Sequence, residues 1–203
     1  MVDGLRAVGR GLRSVQTAGY AYIWANLAFV VLSLPLVTLP AAWSALVRVA
    51  YQAQTHPAEA DLALFWGAFR ANLLRALPWG LLNALFAVIN FGNLAAYADA
   101  PGIGAALLRG VWILAGLIWL GALLYTWPLF YEMAEPSISG AVRNALIMVL
   151  RNSGYTLTLI FAIAVLALIS TALIAAWALL TWGAIAAIAT AAVLDRLAQA
   201  QSA

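Results

Sequence analysis

NSGYTLTLIFAIAVLALISTALIAAWALLTWGAIAAIATAAVL (residues 152–194) is a run of 43 residues without one charged side chain. As a single helix it would measure about 65 Å, twice the roughly 30 Å hydrocarbon thickness of a bilayer. It has to fold back, so two spans are predicted, 154–174 and 176–194, although no Gly or Pro marks the turn. The rest of the 203-residue chain agrees with a membrane setting. It is 66% hydrophobic and 8% charged with a mean hydropathy of +0.98, whereas soluble domains are nearer half and a quarter. A water-soluble globule of this length has too little interior for so much apolar surface. The class is all-α, a polytopic membrane helical bundle forming one integral membrane domain over 1–203.

Upstream of the run, further apolar spans are predicted at 77–97 and 105–130, separated by the turn ADAPGIG (98–104). A helical hairpin is predicted over 18–55, with a first span to about Leu39, Pro35 and Pro40 near its turn, and a shorter return over 41–55 interrupted by Arg48. Three stretches are amphipathic. In 1–17, Leu5, Val8, Leu12 and Val15 share one helical face and Arg6, Arg10 and Arg13 another, as in a helix lying in the headgroup plane. In 62–76, Leu62, Phe65, Trp66, Phe69 and Leu73 share a face. In 137–152 the face is Ile138, Val142, Leu146, Val149 and Leu150, with Arg143 and Arg151 off it. GAFRANLLRALPWG (67–80) and GAVRNALIMVLRNSG (140–154) form a weak internal repeat.

The arginines decide whether 41–55 returns across the membrane. With five spans they divide 4:6 between the two sides. With six, all but Arg109 fall on the side holding both termini. Retained loops carry the positive charge, so about six membrane helices are predicted, the second short or re-entrant, with both termini cytoplasmic. The interfacial helices 62–76 and 137–152 then lie on that same side.

Chemistry-bearing patterns are scarce. There is no cysteine, and every one of the ten basic residues is arginine. P-loop, GxSxG, HExxH and CxxC motifs are absent, and the only histidine, His56, sits in the polar loop with Glu59 and Asp61 without ligand spacing. An enzyme is not predicted, nor a cofactor or a bound metal. A net charge of +3 without a basic run excludes a nucleic-acid partner. What remains is polar residues within spans. Asn83, Asn90 and Asn93 line one face of 77–97, and Asn26 lies in the first span. They read either as a polar path for a small solute or as interhelical hydrogen bonding, with the second favoured. Trp112, Trp119 and Trp127 read as packing ahead of a sugar-facing stripe. Glu132 and Glu135 are expected to pair with Arg143 or Arg151. Arg6, Arg10, Arg13, Arg70, Arg75, Arg143 and Arg151 are the candidate contacts to lipid headgroups or to a docked partner.

Four pieces carry a family resemblance: ANLAFVVLSLPLVTLPAAWSALVRV (25–49), FWGAFRANLLRAL (65–77), LLYTWPLFYEM (123–133) and VRNALIMVLRN (142–152). In their order and spacing the chain resembles the bacterial YesL-like integral membrane proteins of unknown function. It departs from them at Leu39, where a Gly commonly precedes the Pro, and in lacking lysines. The resemblance implies a multi-pass protein of a bacterial cytoplasmic (inner) membrane connected with carbohydrate import of the ABC type. The expected role is an accessory or scaffold subunit with a membrane-protein partner or a second copy of itself. The alternatives are a structural subunit of another membrane complex, in contact with lipid or pigment, or a small-solute permease using the Asn83/Asn90/Asn93 face.

Overall fold

The computed structural model of the chain describes residues 2–202. It is 88% helical, with nine helices and no strand among the described residues. They are α1 (Val2–Thr17), α2 (Gly19–Ser33), α3 (Leu39–Thr55), α4 (Leu62–Asn72), α5 (Leu77–Ala96), α6 (Ile103–Glu132), α7 (Ile138–Arg151), α8 (Ser153–Ala172) and α9 (Ile174–Gln201). Local chemistry sets several ends. Asp61 and Ser137 accept the Leu64 and Gly140 N–H groups, capping α4 and α7. Pro40 and Pro78 sit in the first turns of α3 and α5, where no N–H is needed. Gly102, with φ of +94°, turns the chain into α6.

Among the described residues, α5, α6, α8 and α9 are long and apolar enough to cross a membrane. The uncharged run folds back at Leu173, where the backbone leaves helical geometry (φ −123°, ψ 77°) and separates α8 from α9. The other two expected spans are shorter. α2 has 15 residues and α3 has 17, about 22 and 25 Å. α1 and α2 reach span length only as a pair, bent by 95° between them. The shortness of α3 goes with its position: ten of its 17 residues are buried by neighbouring helices.

The packing has an approximate threefold order. Three inner segments (α3, the second half of α6 and the second half of α9) pack on one another. Each is covered by one short antiparallel helix, namely α4, α7 and α1 respectively. That helix leads in every case into an apolar one: α5, α8 and α2. The covering helices meet their inner partners at Asn72–Ser44, Val149–Gly121 and Gly11–Ile188. The apolar helices cross them at Gly80–Pro40, Thr156–Gly121 and Tyr22–Gly183, each through a glycine. Two of the three junctions between units carry a side-chain hydrogen bond to a backbone carbonyl, Tyr131 to Ser44 and Gln54 to Ala187. The third unit is assembled from opposite ends of the sequence, since α9 pairs with α1.

Two amphipathic faces differ from the sequence reading. α1 buries Gly4, Ala7, Gly11, Ser14 and Val15, while Leu5 is 58% exposed and Leu12 faces outward. α7 buries Ala141, Ala145 and Val149 and leaves Leu150 exposed. The reason is steric. In apolar surroundings helices gain from close backbone approach, so small residues take the contact and large ones are turned out. α4 follows the expected face more closely, burying Phe65 and Phe69.

Candidate functional site

The intramembrane asparagines do not form one path. Asn26 is fully buried between α2 and α9. Its Nδ2 donates to the carbonyls of Trp177 (2.9 Å) and Ala178 (2.6 Å), and its Oδ1 accepts the Gly183 N–H (2.8 Å). Trp177 and Ala178 open a π-helical turn at Trp177–Thr181 and Gly183 follows it, so the amide serves backbone groups in and next to that turn. Asn83 and Asn90 lie elsewhere, in the seam between α5 and α6. Asn90 donates to the Trp112 carbonyl (2.8 Å) and rests against Gly116, where a Cβ would come within 3.3 Å of its Oδ1. Asn83 accepts from Trp119 Nε1 (2.9 Å) and donates to the Trp79 carbonyl in its own helix. Asn93 donates only to Ile89, one turn back, and is half-buried. Trp119 stacks on Phe86 with ring centres 4.4 Å apart, and Trp127 is buried against Phe130. Both aromatic rings are thus engaged in packing.

The arginines divide by environment. Arg6, Arg10, Arg13, Arg70, Arg75, Arg143 and Arg151 are exposed on α1, on or just after α4, and on α7. Glu132 and Glu135 make no ion pair with Arg143 or Arg151 among the described residues, because α7 presents its small face to α6 and turns both arginines away. The ion pairs present lie instead where α1 meets α9. Arg10 pairs with Asp195 and Arg196 with Asp3 (3.8 Å), and the Arg196 guanidinium lies 3.7 Å from the centre of the Tyr155 ring. Tyr155 also donates to Asp195 (3.2 Å). These groups border a cleft of about 520 Å³ lined by Asp3, Arg6, Gly9, Arg10, Arg13, Asp195 and Gln199. Asp195→Asn is expected to lower stability by only about 1 kcal/mol in an SDS unfolding titration, since Arg10 is half exposed and solvent screens the pair. A loss several times larger would mean that this contact, and not the packing beneath it, holds α1.

A second cleft of about 580 Å³ lies between α3, α4 and the end of α6. Its floor is a hydrogen-bonded cluster that sequence reading missed. Asn72 Nδ2 donates to Ser44 Oγ (2.9 Å) and Tyr131 Oη (3.1 Å), and Tyr131 donates to the Ser44 carbonyl (3.0 Å). Arg48 and Arg75 line the walls. Arg48 stands over the rings of Tyr131 (5.3 Å) and Tyr51 (5.6 Å), and Arg75 over Phe130 (5.9 Å). The acids at the mouth are engaged: Glu59 accepts from Gln52 (2.7 Å) and Asp61 caps α4. The only sequence signal was Arg48 interrupting an apolar segment. Among the described residues no three of His, Cys, Asp or Glu gather as metal ligands would.

No family model matches the chain, and no curated protein or solved structure is significantly similar to it.

Proposed function

We propose that this chain is a non-catalytic integral membrane protein, an accessory subunit that holds a partner against α1, α4 and α7. One observation carries the reading. Each of these helices covers an inner segment with one face and presents arginine on the other: Arg6 and Arg13, Arg70, and Arg143 with Arg151. Three such helices at equivalent places make an extended cationic layer around a packed interior. Arg109 alone is remote, donating to the Ala98 carbonyl beside the α5–α6 turn (2.6 Å). This asymmetry supports a cytoplasmic position for the layer and for both termini. The resemblance to YesL-like proteins makes a bacterial cytoplasmic membrane the setting and a component of a sugar importer the first partner to seek. A permease has less support, because Asn83 and Asn90 spend their amides on the seam between α5 and α6.

The test is a pull-down of the tagged chain from its host in mild detergent, with the partner quantified by mass spectrometry. Reversing Arg70, Arg143 and Arg151 to glutamate should reduce partner recovery about tenfold or more while leaving the melting temperature of the chain unchanged. Recovery of a lone chain, or equal partner recovery with the triple variant, overturns the reading.

A further inference from the structure

We propose that the cleft between α3, α4 and the end of α6 binds a phosphate-bearing anion, gripped by Arg48 and Arg75. The argument begins with charge. Arg48 projects from the most enclosed helix of the bundle and is only partly exposed. Neither it nor Arg75 has an ion pair among the described residues, although both line one cleft. A partly desolvated guanidinium such as that of Arg48, with no carboxylate at ion-pair distance, is costly, and the ring faces beneath it offset only part of that cost. In the other cleft Arg6 and Arg10 each find an aspartate, and Arg13 does not. Here Glu59 and Asp61 also line the cleft, but neither forms an ion pair with Arg48 or Arg75; Glu59 accepts from Gln52 and Asp61 from the Leu64 N–H.

The geometry also selects the ligand class. Guanidinium groups bind phosphoryl oxygens through paired, charge-assisted hydrogen bonds. The polar floor of Asn72 and Tyr131 lies next to them, while Leu64, Ala68 and Phe130 give an apolar wall. A phosphoryl group reaches this cleft either as a free anion or as the headgroup of a bilayer lipid, and both meet the same residues. The site does not depend on the accessory role proposed above.

The purified full-length chain in a neutral detergent is titrated, at constant ionic strength, with sodium phosphate and separately with dihexanoyl phosphatidylglycerol, following Tm. The wild type should be stabilised in a saturable way by at least one of them. Arg75→Gln should raise the half-saturating concentration about tenfold, since a hydrogen bond to a charged group is lost. Ala71→Trp, which fills the cleft from an exposed position, should abolish the response. Arg70→Gln, on α4 but not lining the cleft, should titrate like the wild type. A response to inorganic phosphate identifies a soluble anion, and a response to the lipid alone identifies a headgroup; both support the site. No saturable stabilisation by either probe, or wild-type titration by both Arg75→Gln and Ala71→Trp, overturns it. Because both deciding substitutions are at exposed positions, the test does not rest on whether an Arg48 variant folds.

Discussion

Replacing Asn26 by leucine is expected to lower the unfolding free energy by about 3 kcal/mol, near the top of the range for point changes. The size follows from counting what the amide holds. It donates to two carbonyls and accepts one N–H, all on α9 and all beside the π-helical turn. Leucine fits the space approximately but answers none of the three, and each unpaired backbone group in a buried apolar setting costs about 1 kcal/mol or more. Asn93→Leu is the matched control, because that amide bonds only within its own helix. SDS or urea unfolding of the two variants should separate them clearly. Equal stability of Asn26→Leu and the wild type would show that the turn at 177–181 needs no partner.

The second large effect is expected from a single methyl group at Gly11. A Cβ there would lie 2.7 Å from both N and Cα of Ile188, and 2.9 Å from the Ala187 carbonyl carbon. These are backbone atoms, so no side chain can swing aside. Gly11→Ala should therefore push α1 off α9 and destabilise the bundle by about 2–3 kcal/mol, in spite of the better helix propensity of alanine. Gly9→Ala, two residues away, meets nothing within 4 Å and should be neutral or slightly stabilising. The measurement is unfolding combined with limited proteolysis. Gly11→Ala should expose cleavage sites within residues 2–17 that stay protected in Gly9→Ala. If the two variants behave alike, close backbone approach is not what docks α1.

How much of this was legible follows from where the information sits. The all-α class was readable because apolar composition is a property of the whole chain, and the fold-back was forced by the length of the uncharged run. Faces were harder. In α1 the pattern of Leu5, Val8, Leu12 and Val15 is a sound amphipathic signal, yet the docked stripe is Gly4, Ala7, Gly11 and Ser14, with Val15 the one buried member of the expected face. Hydrophobic periodicity marks an apolar face, whereas close approach of two helix backbones is granted only by small residues. Asn26 was visible as an intramembrane amide, but its partners stand about 150 residues away in a π-helical turn that no local residue announces. The Asn72–Ser44–Tyr131 floor was invisible for the same reason: each member is ordinary alone, and only tertiary proximity makes a cluster. The repeat seen between 67–80 and 140–154 was a partial glimpse of the threefold order. Its third member, α1, lacks the shared GA-x-R opening.

The pairing of α1 with α9 also bears on how the structure is reached. A linear array of repeats grows from any nucleus, and its two end repeats need special capping surfaces. Here no repeat is an end repeat, so no capping surface is required. The cost is kinetic. The contact that completes the third unit joins Gly11 to Ile188, among the most distant pairings the chain contains. Contacts of that separation form late, because the intervening chain must be ordered first or its loop-closure entropy overcome. During synthesis Gly11 must therefore stay uncovered until α9 has emerged, while Gly4 can already meet Thr158 of α8.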